Sequence, residues 1–186
     1  MKLNLGAGQN PVTGFLNVDK YGEPEFKCDL EVFPWPWAAD SVDEVLMYHS
    51  LEHMGERAET FIGIMKELYR VCSHGAVVHI AVPHPRHDSF LDDPTHVRVI
   101  TPELLGCFCK RFCIESQKLK AANSPLALYH DVDFEVEGVT YTLEEPYASD
   151  FRAKRITNED VQKLMKKFNN VSAEWRINLR VVKGKQ

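Results

Sequence analysis

Apolar residues in this chain fall into two kinds of run. Lys2 to Leu5, Phe15 to Val18, Val42 to Tyr48 and Ala76 to Val82 are short and nearly continuous. Such runs suit strands buried in a parallel sheet, where both faces meet apolar neighbours. Between the third and fourth, Ala58, Phe61, Ile62, Met65, Leu68, Tyr69 and Cys72 recur at helical spacing, and Gly75 stands beyond as a stop signal. This stretch predicts a strand, helix, strand crossover.

The second half is more broken. Thr101-Pro102-Glu103 joins a cap residue, a proline at the first helical position and an early acid, predicting one helix that buries Leu104, Leu105, Phe108 and Phe112. Thr157 and Asn158 open another, with Val161, Leu164, Met165 and Phe168 on its inner stripe. Trp175, Ile177, Leu179 and Val181 alternate with Glu174, Arg176, Asn178 and Arg180, predicting a half-exposed strand that joins the sheet antiparallel near an edge. The stretch "DVDFEVEGVTYTLEEP" alternates on both sides of Glu137-Gly138 and predicts a β-hairpin insertion.

Two features near the start change the picture. Gly6-Ala7-Gly8 breaks the first strand where a backbone must turn sharply or approach a ligand. The second run ends at Asp19, at the strand end where open α/β sheets bind ligands. Only eight residues, Gln9 to Leu16, separate Gly8 from Asn17. A parallel crossover with its own helix needs at least ~10–12, so the first helix is a single turn or absent.

Composition fits one domain spanning residues 1–186. The chain is 44% hydrophobic and 26% charged, enough for one substantial core. A net charge of −5 gives no electrostatic footprint for nucleic acid, and no apolar run approaches membrane-spanning length. A strand starting at Lys2 leaves no room for a signal peptide, so a cytoplasmic location is expected. The five cysteines lack paired C-x-x-C spacing and read as reduced thiols.

The stretches "LNLGAG", "NVD", "CDLEVFPWPWAADSVDEVLMYHSLEHM" and "MKELYRVCSHGAVVHIAVP", in that order within residues 2–83, resemble the class I S-adenosylmethionine-dependent methyltransferases of the small type 11 kind. Alone, the G-x-G turn would suit a nicotinamide or flavin site, but Pro11 replaces the third glycine of that fingerprint. The resemblance implies a Rossmann-like, doubly wound α/β fold: a mostly parallel sheet of six or seven strands with an antiparallel last strand. Residues 1–83 would form the cofactor-binding half, 84–157 the substrate-side loops, and 158–186 a closing helix and strand.

It also implies roles. Gly6, Ala7 and Gly8 would approach the amino acid end of S-adenosylmethionine, and Asp19 would accept from its ribose hydroxyls. Asp29 would meet the adenine amine, Leu30 would pack on the ring, and Tyr48, His49 and Leu51 would lie under the cofactor. The cofactor carries the difficult chemistry, leaving the protein to align, desolvate and sometimes supply a base. His49 and His84, which follow predicted strands most closely, are the candidate bases; a small-molecule acceptor is the expected partner.

"PHPRHDSFLDDPTHVR" crowds metal-ligand types into thirteen positions. The type 11 core requires no metal, and a polar substrate wall of His87, Asp93 and His96 is the preferred reading. Two alternatives stand beside methyl transfer: a metal-dependent hydrolase using His84, His87, Asp88 and His96, and a nucleotide-binding module without catalysis.

Overall fold

The computed structural model describes residues 1–184, so residues 185 and 186 of the expected closing segment lie outside the described residues. The short apolar runs become β1 (Lys2–Leu5), β2 (Leu16–Asp19), β4 (Val42–Tyr48) and β5 (Cys72–Pro83), with a two-residue β3 (Phe26–Lys27). Together with β6 (Phe134–Leu143) and β7 (Ser172–Val181) they form one seven-stranded sheet in the order β3-β2-β1-β4-β5-β7-β6. β1 to β5 pair in parallel, and β7 lies antiparallel between β5 and β6.

Burial alternates along the second half of β7 but is unbroken over Leu3–Leu5, Val45–Met47 and Ile80–Pro83. Leu3, Leu5, Val45, Met47, Val78, Ile80, Ile177 and Leu179 are fully or almost fully buried, in one cluster with Phe61, Ile64, Met65 and Leu68 of α1 (Ala58–Val71). Each such aliphatic side chain contributes roughly 1.5–3 kcal/mol on burial. Some of the intervening positions are polar, while Leu46 and Ala81 are buried apolar residues. Glu44 bridges Lys2 and His79, and His79 in turn bonds Asn178 across the β5–β7 ladder.

No helix occupies residues 9–15. Buried amides fill that place: Asn4 Nδ2 and the Val12 amide both donate to Asn17 Oδ1 at 2.8 Å, and the Asn17 amide and Nδ2 both donate to Glu25 Oε2. Every member has a partner, so the network holds the short crossover without the desolvation cost of an orphaned amide.

Three elements differ from the sequence reading. The expected hairpin is one ten-residue strand, β6, because Glu137 forms a bulge between the pairs Val136–Leu179 and Gly138–Asn178. The single helix after Thr101 is two, α3 (Pro102–Gly106) and α4 (Lys110–Lys118). The Phe108 carbonyl between them accepts from the Phe134 amide of β6, and that break places the Phe108 ring in the core. Gly75 is no helix stop but lies within β5, since α1 runs straight into the strand at Cys72.

The remaining helices are short: α2 (Asp88–Leu91), α5 (Leu126–His130) and α6 (Tyr147–Arg152), then α7 (Asn158–Lys167). Thr157 and Asp160 form a capping box at the start of α7, and Val161, Met165 and Val171 make a small second core. Proline-rich "FPWPW" is stapled to α1 by Glu67, which accepts the Trp35 amide at 2.6 Å and two bonds from Arg70. Arg70 returns to the Trp35 and Trp37 carbonyls, fixing the segment that follows Leu30.

Candidate functional site

From β1 the chain winds outward through β2 and β3, then crosses back to β4 and β5. The strand order therefore reverses between β1 and β4, and the crevice beyond their carboxyl ends is where open α/β sheets bind ligands. A cavity of about 380 Å³ lies there. Gly6, Gly8, Asp19, Asp29, Leu30 and His49 line it, together with Ser50, His53, Met54 and Thr95.

Gly6 is set by close approach. Its φ is +72°, and a Cβ added to it would lie 2.4 Å from Ser50 Cβ, far inside van der Waals contact. Ser50 Oγ donates to the Leu5 carbonyl at 3.0 Å, locking the ends of β1 and β4 together. The Gly6 and Ala7 amides both donate to the Val18 carbonyl, which curls the loop over the end of β2. Gly8 then donates its amide to Asp19 Oδ2 at 2.9 Å, and Tyr21 donates to Oδ1 at 2.8 Å. Each Asp19 oxygen keeps a further acceptor site directed by this pinned geometry.

Beyond the end of β3, Asp29 Oδ1 accepts from the Glu31 amide, while Lys20 stands 3.9 Å from Asp29 and 3.6 Å from Glu31. Leu30 is buried, and its carbonyl accepts from the Trp35 indole.

Other sequence-predicted residues fall elsewhere. Ala7 is buried and does not line the cavity, and Leu51 is fully buried in the main core. Tyr48 is 41% exposed with Arg176 over its ring, because period-two alternation directs Met47 rather than Tyr48 into the core.

His49 sits in the left-handed region at φ +49°. Its Nε2 is 2.7 Å from Glu174 Oε2 and its Nδ1 is 3.6 Å from Glu52 Oε1. The two carboxylates, Glu52 foremost, raise its pKa above the ordinary value despite opposing burial. His49 is thus held toward its charged form, which suits it to orienting an anion or lone pair better than to accepting a proton.

His84 is 4% exposed, packed on Trp175 with ring centroids 5.2 Å apart, and its Nδ1 accepts from the Arg86 amide. Burial pushes its pKa down to about 4. It does not line the cavity, which removes the geometric basis for its role as a base. His87 caps α2 through the Ser89 amide, and Asp88 pairs with Asn170. Among the described residues, His84, His87, Asp88 and His96 do not gather into one metal-ligand group, being spread over a core contact, a cap and a loop pairing, so the hydrolase alternative has no such cluster to rest on. Asp93 accepts from the amide and hydroxyl of Thr95, and His96 stacks on Phe90 and meets the His53 ring at a tilt of 57°.

Glu52, Ser50 and Glu174 escaped the sequence reading. The first two follow β4 in "HSLEHM", where a strand end makes any polar side chain a candidate; Glu174 reaches His49 across 125 positions and left no local signal. The five cysteines are free, as expected, and burial pushes Cys72 up to about 12. Among the described residues no helix is long and apolar enough to cross a membrane.

No protein-family model matches the sequence, and no curated protein matches it. Solved structures do match the fold. A SAM-dependent methyltransferase from Archaeoglobus fulgidus is 17% identical with a TM-score of 0.59, covering 96% of this chain and 85% of its own. A SAM-dependent methyltransferase from Thermotoga maritima, described as a possible histamine N-methyltransferase, is 13% identical at a TM-score of 0.53, with coverages of 96% and 80%. One from Methanosarcina mazei is 13% identical at 0.51, with coverages of 98% and 92%. At these identities the likeness is one of fold: the chain has the Rossmann-like architecture of the class I S-adenosylmethionine-dependent methyltransferases, its antiparallel seventh strand included.

Proposed function

We propose that this protein transfers a methyl group from S-adenosylmethionine to a small-molecule acceptor. The observation that carries the reading is the convergence of Gly6, Gly8, Asp19, Asp29 and Leu30 on one cavity at the reversal of strand order. The donor set fits the cofactor's chemistry. The Gly6–Gly8 loop leaves backbone, not side chain, at the cavity wall; Asp19 is an acceptor-only carboxylate suited to a pair of hydroxyls; Asp29 and Leu30 offer an acceptor beside an apolar surface suited to a purine.

When bound, the cofactor supplies an electrophilic methyl on a good leaving group, so the protein's work is alignment and exclusion of water. Ser50 and Met54 close the cavity near Gly6, and His49, anchored by Glu174, presents a fixed polar edge. His53 and Thr95 add the polar wall toward which an acceptor would enter. The carboxylates Asp19, Asp29 and Glu31 around the cavity favour a small molecule over a polyanionic nucleic acid.

Titration calorimetry with S-adenosylmethionine and S-adenosylhomocysteine tests the reading, with a nicotinamide dinucleotide as control. Micromolar binding of the sulfur ligands is expected, weakened about ten- to a hundredfold in Asp19→Asn because a charged hydrogen bond is worth about 1.5–3 kcal/mol. Transfer of labelled methyl to one of a panel of hydroxyl, amine and thiol acceptors completes it. Binding of the dinucleotide in place of both sulfur ligands would refute the proposal.

A further inference from the structure

At the cavity wall around His53, three electron-pair donors converge. One ligating atom from each of Glu52, His53 and His96 lies within 4.8 Å of those of the other two. Glu52 is 1% exposed, and neither of its carboxylate oxygens has a hydrogen-bond partner among the described residues. A buried carboxylate without a hydrogen bond is costly unless cations answer it, and the His49 imidazole, 3.6 Å from Oε1, reaches only one of the two oxygens. Its backbone carbonyl is used, accepting from Val97 and Arg98, so the orphaned atoms are those of the side chain alone. The Arg98 guanidinium is committed elsewhere, to the Gly55 carbonyl and the Phe61 ring.

The two imidazoles are oriented by partners that fix their tautomers. His96 Nδ1 is 2.9 Å from the Phe90 carbonyl, which only accepts, so Nδ1 carries the hydrogen in the neutral ring. His53 Nδ1 is 2.8 Å from Thr95 Oγ1, and that hydroxyl spends its one proton on Asp93 Oδ1 at 2.6 Å. His53 Nδ1 must therefore donate as well. In the neutral rings Nε2 is the lone-pair atom of each, with Asp93 Oδ2 4.0 Å from that of His96, and an outer hydrogen bond on Nδ1 is how metal-binding histidines are held. The His96 side chain is only 7% exposed, and its ring lies 4.6 Å from that of His53.

We propose that Glu52, His53 and His96 bind a divalent first-row transition metal ion such as Zn²⁺, Mn²⁺ or Co²⁺. Two imidazoles and one carboxylate select this class over Mg²⁺ and Ca²⁺, which prefer oxygen ligands throughout. Donors about 2.0–2.2 Å from one ion at tetrahedral angles stand about 3.3–3.6 Å apart, so pairs now up to 4.8 Å apart close by at most about 1.5 Å, shared between two side chains. Three protein ligands leave coordination open, and His53 and Thr95 form part of the cavity wall, so the open side can serve an oxygen of a molecule occupying that cavity. The site is distinct from the set His84, His87, Asp88 and His96, and it does not depend on the methyl-transfer reading.

The test is a Co²⁺ titration of tag-free protein stripped by chelator, followed by the visible absorption of histidine-ligated cobalt. One equivalent is expected to bind, with affinity at least tenfold weaker in Glu52→Gln, His53→Ala and His96→Asn and unchanged in His130→Ala. His53 is partly exposed, so His53→Ala stays informative should the buried variants fail to fold by circular dichroism. Absence of a cobalt band in the native protein, or binding that His53→Ala leaves at native strength, would overturn the proposal and assign the Glu52 charge to a proton or to His49 instead.

Discussion

Gly6→Ala and Gly8→Ala look alike in the sequence, and the structure separates them sharply. Both residues have positive φ, +72° and +51°, so either alanine incurs about 1–2 kcal/mol of backbone strain. At Gly8 that is the whole cost, because nothing lies within 4 Å of the added Cβ. At Gly6 the Cβ meets Ser50 Cβ at 2.4 Å and Ser50 Oγ at 3.1 Å, where carbon atoms prefer about 3.5–4.0 Å. Ser50 cannot retreat freely, since its hydroxyl is bonded to Leu5 and it opens the turn after β4. Overpacking of this kind adds roughly 1–3 kcal/mol, giving about 3–4 kcal/mol for Gly6→Ala. With a urea slope of about 2 kcal/mol per molar, the midpoint falls by ~1.5–2 M for Gly6→Ala and ~0.5–1 M for Gly8→Ala. Ser50→Gly in the Gly6→Ala background removes the colliding atom and is expected to recover about 1–2 kcal/mol as a coupling energy. Equal midpoints for the two alanine variants, or no coupling with Ser50→Gly, would refute the close-approach reasoning.

Three further outcomes are expected. His84 is native in its neutral form with a pKa lowered from 6.5 to about 4, so its contribution is complete above pH 6.5 and is lost as pH falls from there toward 4. The loss reaches about 2 kcal/mol by pH 5, and urea midpoints of native protein and His84→Asn at pH 7.5 and 5 should show it only where the imidazole is present. Glu67→Ala removes the partner of the Trp35 amide and of Arg70, so it should cost about 3 kcal/mol and shift tryptophan fluorescence as "FPWPW" loosens; an unchanged spectrum would argue against the staple. Thr157→Ala breaks the α7 capping box and should lower the thermal midpoint by about 2–4 °C, for a loss near ~1 kcal/mol.

What could be read from the sequence depended on how local its cause was. The parallel strands and α1 announce themselves because burial on a period of two or 3.6 leaves a pattern within a few residues. The missing first helix was legible from chain length alone, since eight residues cannot hold one. The bulge at Glu137 was misread as a turn because both interrupt alternation at a Glu-Gly pair, and only pairing with β7 distinguishes them. The same limit governs the site. Gly6, Gly8 and Asp19 sit at strand ends that the pattern fixes, whereas Asp29 and Leu30 follow a two-residue β3 without a pattern of its own and are legible only through the resemblance; Tyr48 and Leu51 depend on which face each residue takes, and His84 depends on Trp175 from a distant strand. Likewise the Glu52, His53 and His96 cluster joins a turn after β4 to a loop after β5, and the chain gives their types without their meeting.

The most direct test of the central claim is a crystal structure of the protein grown with S-adenosylhomocysteine. The ribose hydroxyls should rest on Asp19, the purine beside Asp29 and Leu30, and the sulfur on the side of the cavity walled by His49 and His53. A ligand bound away from the Gly6–Gly8 loop, or a cavity that stays free of it at saturating concentration, would contradict the reading of this crevice as a methyl-donor site.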